Sequence, residues 1–238
     1  MSVPRAVVCL PTYNERENLE RMVRALGDKS VEVLVIDDSS PDGTGEIADR
    51  LAAELDYVSV LHREKKEGLG RAYADGFRHV LATDAELVLE MDCDFSHDPA
   101  DVPRLIAAVE EGADLALGSR YVPGGGTANW GLVRRLISRS ASIYTRVLLM
   151  PIHDATGGFK CFRRRVLESI DLDSIDAAGY VFQIETTYRT LRQGFRVVEV
   201  PIRFVDRTAG QSKMSRSIVV EAVWKVPRLR LLALRRLI

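Results

Sequence analysis

The residues best suited to chemistry are Asp92 and Asp94, which follow the apolar run Leu87-Val88-Leu89-Glu90-Met91. That run reads as a buried strand, and in extended backbone residues i and i+2 point to the same side. The two carboxylates are therefore expected to converge at the carboxyl end of a strand, where open α/β sheets place their ligands. Convergent carboxylates repel unless a cation lies between them. Oxygen-only ligation suits Mg²⁺ or Mn²⁺, with the remaining positions filled by phosphates and water. The bland alternative is that both aspartates cap the helix that follows. Asp-x-Asp is common by chance, so the neighbouring loops must decide.

Those loops belong to a regular alternation. Arg5 to Leu10 is a short apolar run that ends at Pro11, and Pro11-Thr12-Tyr13-Asn14-Glu15 forms the loop after it. Leu19, Met22, Val23 and Leu26 recur at helical spacing, with Gly27 as the stop. Val31 to Ile36 is a second strand, closed by Asp37-Asp38-Ser39-Ser40-Pro41-Asp42-Gly43-Thr44, where Thr44 is expected to cap a helix through Leu55. A strand over Val58 to Leu61, a charged loop from Arg63 to Gly70, a helix from about Arg71 to Ala82, the Asp92/Asp94 strand, a helix near Val102 to Glu111 and a strand from Asp114 to Gly118 complete a βαβαβαβαβ order. This order implies α/β architecture: a mainly parallel sheet with helices on both faces. The second half is less regular. Pro123-Gly124-Gly125-Gly126 reads as a flexible loop or lid, and Trp130 to Leu149 as a long amphipathic helix carrying Arg134, Arg135, Arg139 and Arg146. Asp154 to Phe162 is read as a loop with a short strand, Val181 to Gln193 as a helix and Phe195 to Val205 as a strand. Asp206 to Ser212 is a polar loop, and a final helix is expected from about Ser215, with Pro227 as the site of a kink.

In a parallel sheet the loop after the first strand, Asp37-Asp38, Asp92/Asp94 and Gly118-Ser119-Arg120 all fall along one edge. Asp38 or Glu15 can accept from a nucleoside, and Asp92, Asp94 and Arg120 can serve a diphosphate. No Gly-x-Gly-x-x-Gly follows the first strand and no Walker loop occurs, which argues against a dinucleotide oxidoreductase, a P-loop NTPase or a nucleotidyltransferase. A formal net charge of -1 gives no reason to expect nucleic acid.

Taken in order, Pro11-Thr12-Tyr13-Asn14-Glu15, the Asp37–Thr44 loop, Asp92-Cys93-Asp94 and Gly118-Ser119-Arg120-Tyr121 resemble the inverting family 2 glycosyltransferases with the GT-A (Rossmann-like) fold, and within them the dolichol-phosphate or polyprenol-phosphate mannose synthases. The resemblance spans almost the whole chain. It implies a GDP-mannose donor, a polyprenyl or dolichyl phosphate acceptor and Mg²⁺ or Mn²⁺. It implies that Pro11, Tyr13, Glu15, Ile36 and Asp38 hold the guanosine, and that Asp92 and Cys93 sit against ribose and phosphates. Asp94, with Asp92 and helped by Ser96, is expected to bind the metal. Family members often carry Gln where Ser96 stands; serine is shorter, so a water can intervene. Arg120, Arg134 and Ser138 match acceptor-phosphate positions, and Arg207 and Lys213 match a loop that closes over the diphosphate. Asp94, Arg120, Arg207 and Lys213 are then the expected catalytic set. A phosphate monoester is already anionic, with a second pKa of about 6, so no strong general base is needed; single displacement turns an α-linked donor into a β-linked mannosyl phosphate.

The rest of the chain is ordinary globular material: 238 residues, 46% hydrophobic and 28% charged. Cys9, Cys93 and Cys161 have no C-x-x-C spacing, which suggests a reducing compartment, and Cys9 and Cys93 lie in apolar runs that read as buried. The N-terminus reads directly into a strand with no signal peptide, and no apolar stretch reaches the roughly 18 residues of a membrane span. Residues 1–212 read as the catalytic domain. Residues 213–238 read as a basic amphipathic helix, either core-packed or lying on the cytoplasmic face of a membrane, with peripheral attachment or a separate membrane subunit. Arg134, Arg135 and Arg139 have a plain alternative as a solvated helix face. His97 reads as a loop or capping residue, Asp154 as a backbone-orienting one, and Gln183 and Glu185 as candidates to face the sugar. Two rival functions stay open: a UDP-glucose or other nucleotide-sugar transferase to the same lipid, and a silent sugar-nucleotide sensor.

Overall fold

A computed structural model describes residues 5–175, 179–206 and 224–232. Its first half follows the expected alternation: β1 (Ala6–Thr12), α1 (Leu19–Gly27), β2 (Glu32–Asp37), α2 (Thr44–Glu54), β3 (Val58–His62), α3 (Leu69–Leu81), β4 (Leu87–Glu90), α4 (Val102–Glu110) and β5 (Leu115–Ser119). Then come β6 (Gly126–Ala128), α5 (Leu132–Leu148), β7 (Lys160–Arg163), α6 (Arg164–Ser169), α7 (Tyr180–Arg192), β8 (Val197–Pro201) and β9 (Arg203–Val205). Seven strands form one sheet in the order β3-β2-β1-β4-β7-β5-β8. Every pairing is parallel except those of β7, which lies antiparallel between β4 and β5.

Successive residues of β1 enter opposite cores. Ala6, Val8 and Leu10 join α1, α2 and α4 in one core, while Val7 and Cys9 join α3, α6 and α7 in the other. A strand covered on both faces must be apolar throughout, which is why β1, β2 and β4 read as unbroken apolar runs. The four α1 residues chosen for helical spacing are the ones buried. All three cysteines are buried and free. Among the described residues no helix is long and apolar enough to cross a membrane.

Several local expectations are corrected. β1 continues through Pro11 to Thr12; its pairing with β4 ends at Cys9, so the missing Pro N–H falls where that side of the strand is an edge. α1 does end at Gly27 as expected, without left-handed backbone there. A Cβ there would lie 2.4 Å from the Tyr57 hydroxyl, so the glycine serves packing. Thr44 does not cap α2. Gly43, at φ 89°, precedes the helix, and the Thr44 hydroxyl donates to Asp42 Oδ1 at 2.6 Å. The Pro123–Gly126 segment is a packed turn: Gly125 N donates to Val122 O, Gly126 N donates to Ile202 O, and a Cβ on Gly125 would lie 2.5 Å from Ser119 O. The expected strand over Phe195–Val205 is two strands, β8 in the main sheet and β9 paired with β6. Residues 224–232 are helical, with Pro227 inside the helix, and Val226 and Leu229 pack against Met150 and Tyr188. The remainder of the expected C-terminal helix, and the boundary drawn at residue 212, lie outside the described residues.

Candidate active site

β1 neighbours β2 on one side and β4 on the other, so their following loops part and open a crevice. Three of the loops around it hold a non-glycine residue at left-handed φ: Asn14 at 59°, Ser39 at 57° and Phe95 at 58°. Such backbone is held only where surrounding structure over-determines it, and it clusters at functional sites. The crevice widens into a cleft of about 670 Å³, within the range of small-molecule sites. Pro11, Tyr13, Glu15, Asp38, Asp92, Cys93, Asp94, Arg120, Arg134 and Ser138 all line it. Ile36 does not; its side chain is buried in the core against the α3 side of the sheet. Arg207 and Lys213 lie outside the described residues.

At one end the first two loops are laced together. Asp38 N donates to Thr12 O, Asn14 N to Ser40 Oγ and Glu15 N to Thr44 Oγ1. Asp38 is buried and paired with Arg63, which also donates to Asp75 at 2.7 Å and Glu67 at 3.2 Å. Burial raises the Asp38 pKa and Arg63 opposes that rise. Asp37 turns away into the loop, accepting from Ser40 N and Thr12 Oγ1. The Lys66 ammonium sits 3.5 Å from the centre of the Tyr13 ring, a cation–π contact that reading by motif overlooks.

The centre corrects the extended-strand argument. β4 stops at Glu90, and Asp92 and Asp94 sit in the bent segment beyond it. Their placement comes from a tight turn: Asp92 N donates to His97 Nδ1 at 3.2 Å, and Ser96 N donates to Asp94 Oδ1 at 3.0 Å. His97 is buried against Phe159 and Phe204, and burial lowers its pKa to about 4. It is neutral near pH 7 and serves as the turn's acceptor, in line with its expected loop role. Burial pushes the Cys93 thiol well up, so it remains a thiol rather than a nucleophile. Among the described residues no group of three or more His, Cys, Asp and Glu gathers into a metal-holding cluster. Asp92 and Asp94 still fit a hard cation. They offer oxygen only, and Ser96 Oγ beside them is buried with no hydrogen-bond partner among the described residues. A set this small leaves most positions to phosphate and water, as Mg²⁺ prefers.

The other end is held by long-range pairs. Arg120 donates through Nε and Nη2 to Asp154 at 2.7 and 2.6 Å and to Thr156 Oγ1 at 2.8 Å. Asp154 is fully buried, and Glu199 accepts from the backbone of His153 and Asp154. Asp154 thus aims a side chain as well as backbone. Arg134 lies 4.3 Å from the Trp130 ring centre and donates to Asp206 at 2.5 Å. Ser138, turned inward from α5, accepts from Tyr121 Oη at 2.7 Å. Arg135 and Arg139 are exposed, which fits the solvated-face reading for those two. Glu185 does not reach the cleft; it accepts from Arg189 at 2.6 Å. Gln183 does line it. α5 is also inverted relative to a core helix. Ser138, Ser142 and Thr145 are buried while Leu132, Val133 and Val147 are 74%, 71% and 72% exposed.

Comparison with known proteins agrees with this arrangement. Residues 7–171 match the glycosyl transferase family 2 model. The chain is 51% identical over 226 residues to polyprenol monophosphomannose synthase of Mycolicibacterium smegmatis, covering 93% of this chain and 85% of that one. It is 50% identical over 227 residues to undecaprenyl-phosphate mannosyltransferase of Micrococcus luteus, covering 94% and 93%. Among solved structures, glucosyl-3-phosphoglycerate synthase from Mycobacterium tuberculosis, determined with UDP, shares the fold with a TM-score of 0.69 over 95% of this chain and 80% of that one, at 21% identity. The GT-A-like sheet, the cleft at its switch point and the family match lead to one conclusion: this chain is an enzyme of glycosyl transferase family 2.

Proposed function

We propose that the protein transfers mannose from GDP-mannose to the phosphate of a polyprenyl phosphate, releasing GDP and leaving a β-linked mannosyl phosphate. The observation that carries this reading is the two-ended cleft. Nucleoside-type acceptors follow β1 and β2 at one end, the Asp92/Asp94 pair follows β4 in the middle, and Arg120 follows β5 at the other, with Arg134 and Ser138 in the same lining. The names of the M. smegmatis and M. luteus relatives support the lipid acceptor and the mannosyl group.

Tyr13, Asp38 and Lys66 are the groups for base and ribose. Asp92, Asp94 and Ser96 are the oxygens that would hold Mg²⁺ or Mn²⁺, which when bound neutralises the diphosphate and stabilises its departure. Arg120 and Arg134 bring the acceptor phosphate up to a donor of like charge, work done by positioning and fixed electrostatics. Arg207 and Lys213 are proposed to close over the diphosphate. The acceptor phosphate is its own nucleophile. Neutral His97 and protonated Cys93 fit a site with no covalent intermediate.

The acceptor end adjoins an apolar helix. Leu136, Ile137, Ala141 and Tyr144 of α5 line the cleft, and exposed Leu132, Val133, Ile143 and Val147 continue outward beside Arg135, Arg139 and Arg146. This composition suits an interfacial helix on an anionic leaflet, so attachment is proposed as peripheral, at the cytoplasmic face. Trp224 and Leu231 are exposed on residues 224–232 as well.

The test is radiolabelled sugar transfer to polyprenyl phosphate in detergent, with Mg²⁺ or Mn²⁺, comparing GDP-mannose with UDP-glucose and wild type with Asp94→Ala. Metal-dependent transfer from GDP-mannose, lost in the variant, is expected. Transfer from UDP-glucose alone would reassign the donor, and nucleotide binding without transfer from either would favour the sensor.

A further inference from the structure

Among the described strands of the main sheet only β7 is antiparallel, and it carries Lys160 behind Gln183, which lines the cleft. Lys160 is fully buried, as is its partner Glu90, 3.7 Å away on β4. A buried ion pair is weak evidence for stability. Lys160 Nζ has three donors and no acceptor. It donates to Gln183 Oε1 at 2.5 Å, Gln183 O at 3.0 Å and Thr186 Oγ1 at 2.9 Å. The Gln183 amide is thereby oriented, with its oxygen toward Lys160 and its NH₂ close enough to the Glu90 carboxylate to favour the ionised form, a contact that occupies at most one of the two N–H donors. That NH₂ is buried and makes no hydrogen bond of full geometry among the described residues.

What lies beside the NH₂ is Gly158. A Cβ on Gly158 would sit 3.3 Å from Gln183 Nε2. Gly158 is not at positive φ, so its backbone does not demand glycine. The missing side chain leaves the amide reachable from the cleft, which both residues line. The neighbours locate this opening. Through Lys160 and Glu90 it adjoins the strand that leads to Asp92. Through Gly157, whose Cβ would lie 3.0 Å from Gly118 O, it adjoins the strand that leads to Arg120. It lies between the diphosphate end and the acceptor end, where the transferred sugar must sit.

We propose that Gln183 reads the hexose of the donor by donating from Nε2 to a sugar hydroxyl, that Lys160 is the positioning residue that aims it, and that Gly158 is the window. This rests on the transferase reading above. Hexose hydroxyls are the fitting class of ligand: neutral acceptors, read at short range by an amide held rigid from behind.

The experiment is calorimetric titration of GDP-mannose and of GDP, with Mg²⁺, into wild type, Gln183→Leu and Gly158→Ala, alongside GDP-mannose turnover. One hydrogen bond of ordinary strength predicts that the ratio of the GDP-mannose to the GDP dissociation constant rises roughly tenfold in each variant, with GDP affinity unchanged. Gln183→Leu removes an acceptor from Lys160 and risks the fold, so Gly158→Ala, which keeps the whole network, is the second arm. An unchanged ratio in a variant that melts like wild type would overturn the proposal, even if turnover fell. Lys160→Met with Glu90→Gln removes both buried charges and is expected to reproduce the raised ratio. Absence of transfer in wild type would sink the transferase reading, while the binding ratio still decides whether Gln183 senses the sugar.

Discussion

The two ends of the cleft are built differently. The donor end comes from successive βα units, and its charged hub is centred on the loop after β3: Arg63 pairs with Glu67 and Asp75, which reach solvent, and with buried Asp38, which lines the cleft. The acceptor end is assembled from distant pieces. Arg120 meets Asp154, Arg134 meets Asp206, β6 pairs with β9, and Val205 N donates to Ser96 O, tying this end to the Asp94 turn. Local construction gives a nucleotide cradle that tolerates loss of a partner. Long-range construction makes acceptor recognition depend on the global fold.

The largest expected effect tests that difference. Asp154→Ala removes the buried carboxylate that pairs with the Arg120 guanidinium and should cost about 3–5 kcal/mol, roughly a 10 °C fall in melting temperature. Arg63→Ala leaves buried Asp38 without its guanidinium and should cost about 3 kcal/mol, at the low end of that range, because its other partners Glu67 and Asp75 reach water. Equal losses by calorimetry would erase the distinction. Next, Asp38→Asn removes a charged acceptor from the donor end and should weaken GDP binding roughly 10–100-fold, by about 1.5–3 kcal/mol, while the acceptor KM stays put. Arg134→Ala should do the reverse, raising the acceptor KM about tenfold with GDP affinity unchanged. If both substitutions shift both constants, the ends are not separate recognition elements.

The same difference explains what could be read in advance. The donor end was legible because each strand, loop and helix is a contiguous pattern: the apolar runs of β1 and β2, the i, i+3, i+4 spacing of α1, and polar clusters at each strand end. Asp92 and Asp94 were found for a partly wrong reason. Placement by a turn around His97 replaces the extended strand, and no periodicity encodes that turn. At the acceptor end Arg120 and Asp154 are each legible by position, but their pairing is not, since 34 residues separate them. Insertion of β7 between β4 and β5 left no local signal, because Lys160-Cys161-Phe162-Arg163 is too short to declare its direction. Lys160 itself, a charged residue in a short strand, gave no hint of full burial. α5 was read as amphipathic, but not that its serines face in and its leucines and valines face out.

The smallest expected effect concerns that helix. Val133→Ser and Val147→Ser lie outside the cleft and should each weaken sedimentation with anionic vesicles by about fivefold, near 1 kcal/mol of apolar surface. Turnover in detergent should not change. Unaltered vesicle binding would remove α5 from the membrane surface and leave residues 224–232 and beyond as the candidate.

The central claim is that donor and acceptor meet across the anomeric carbon from opposite ends of one cleft, with no protein nucleophile between them. The direct measurement is the anomeric configuration of the mannosyl phosphate made from GDP-α-mannose, read by NMR. A β-linked product is predicted. An α-linked product would require a second displacement or attack from the leaving-group side, and would contradict the account.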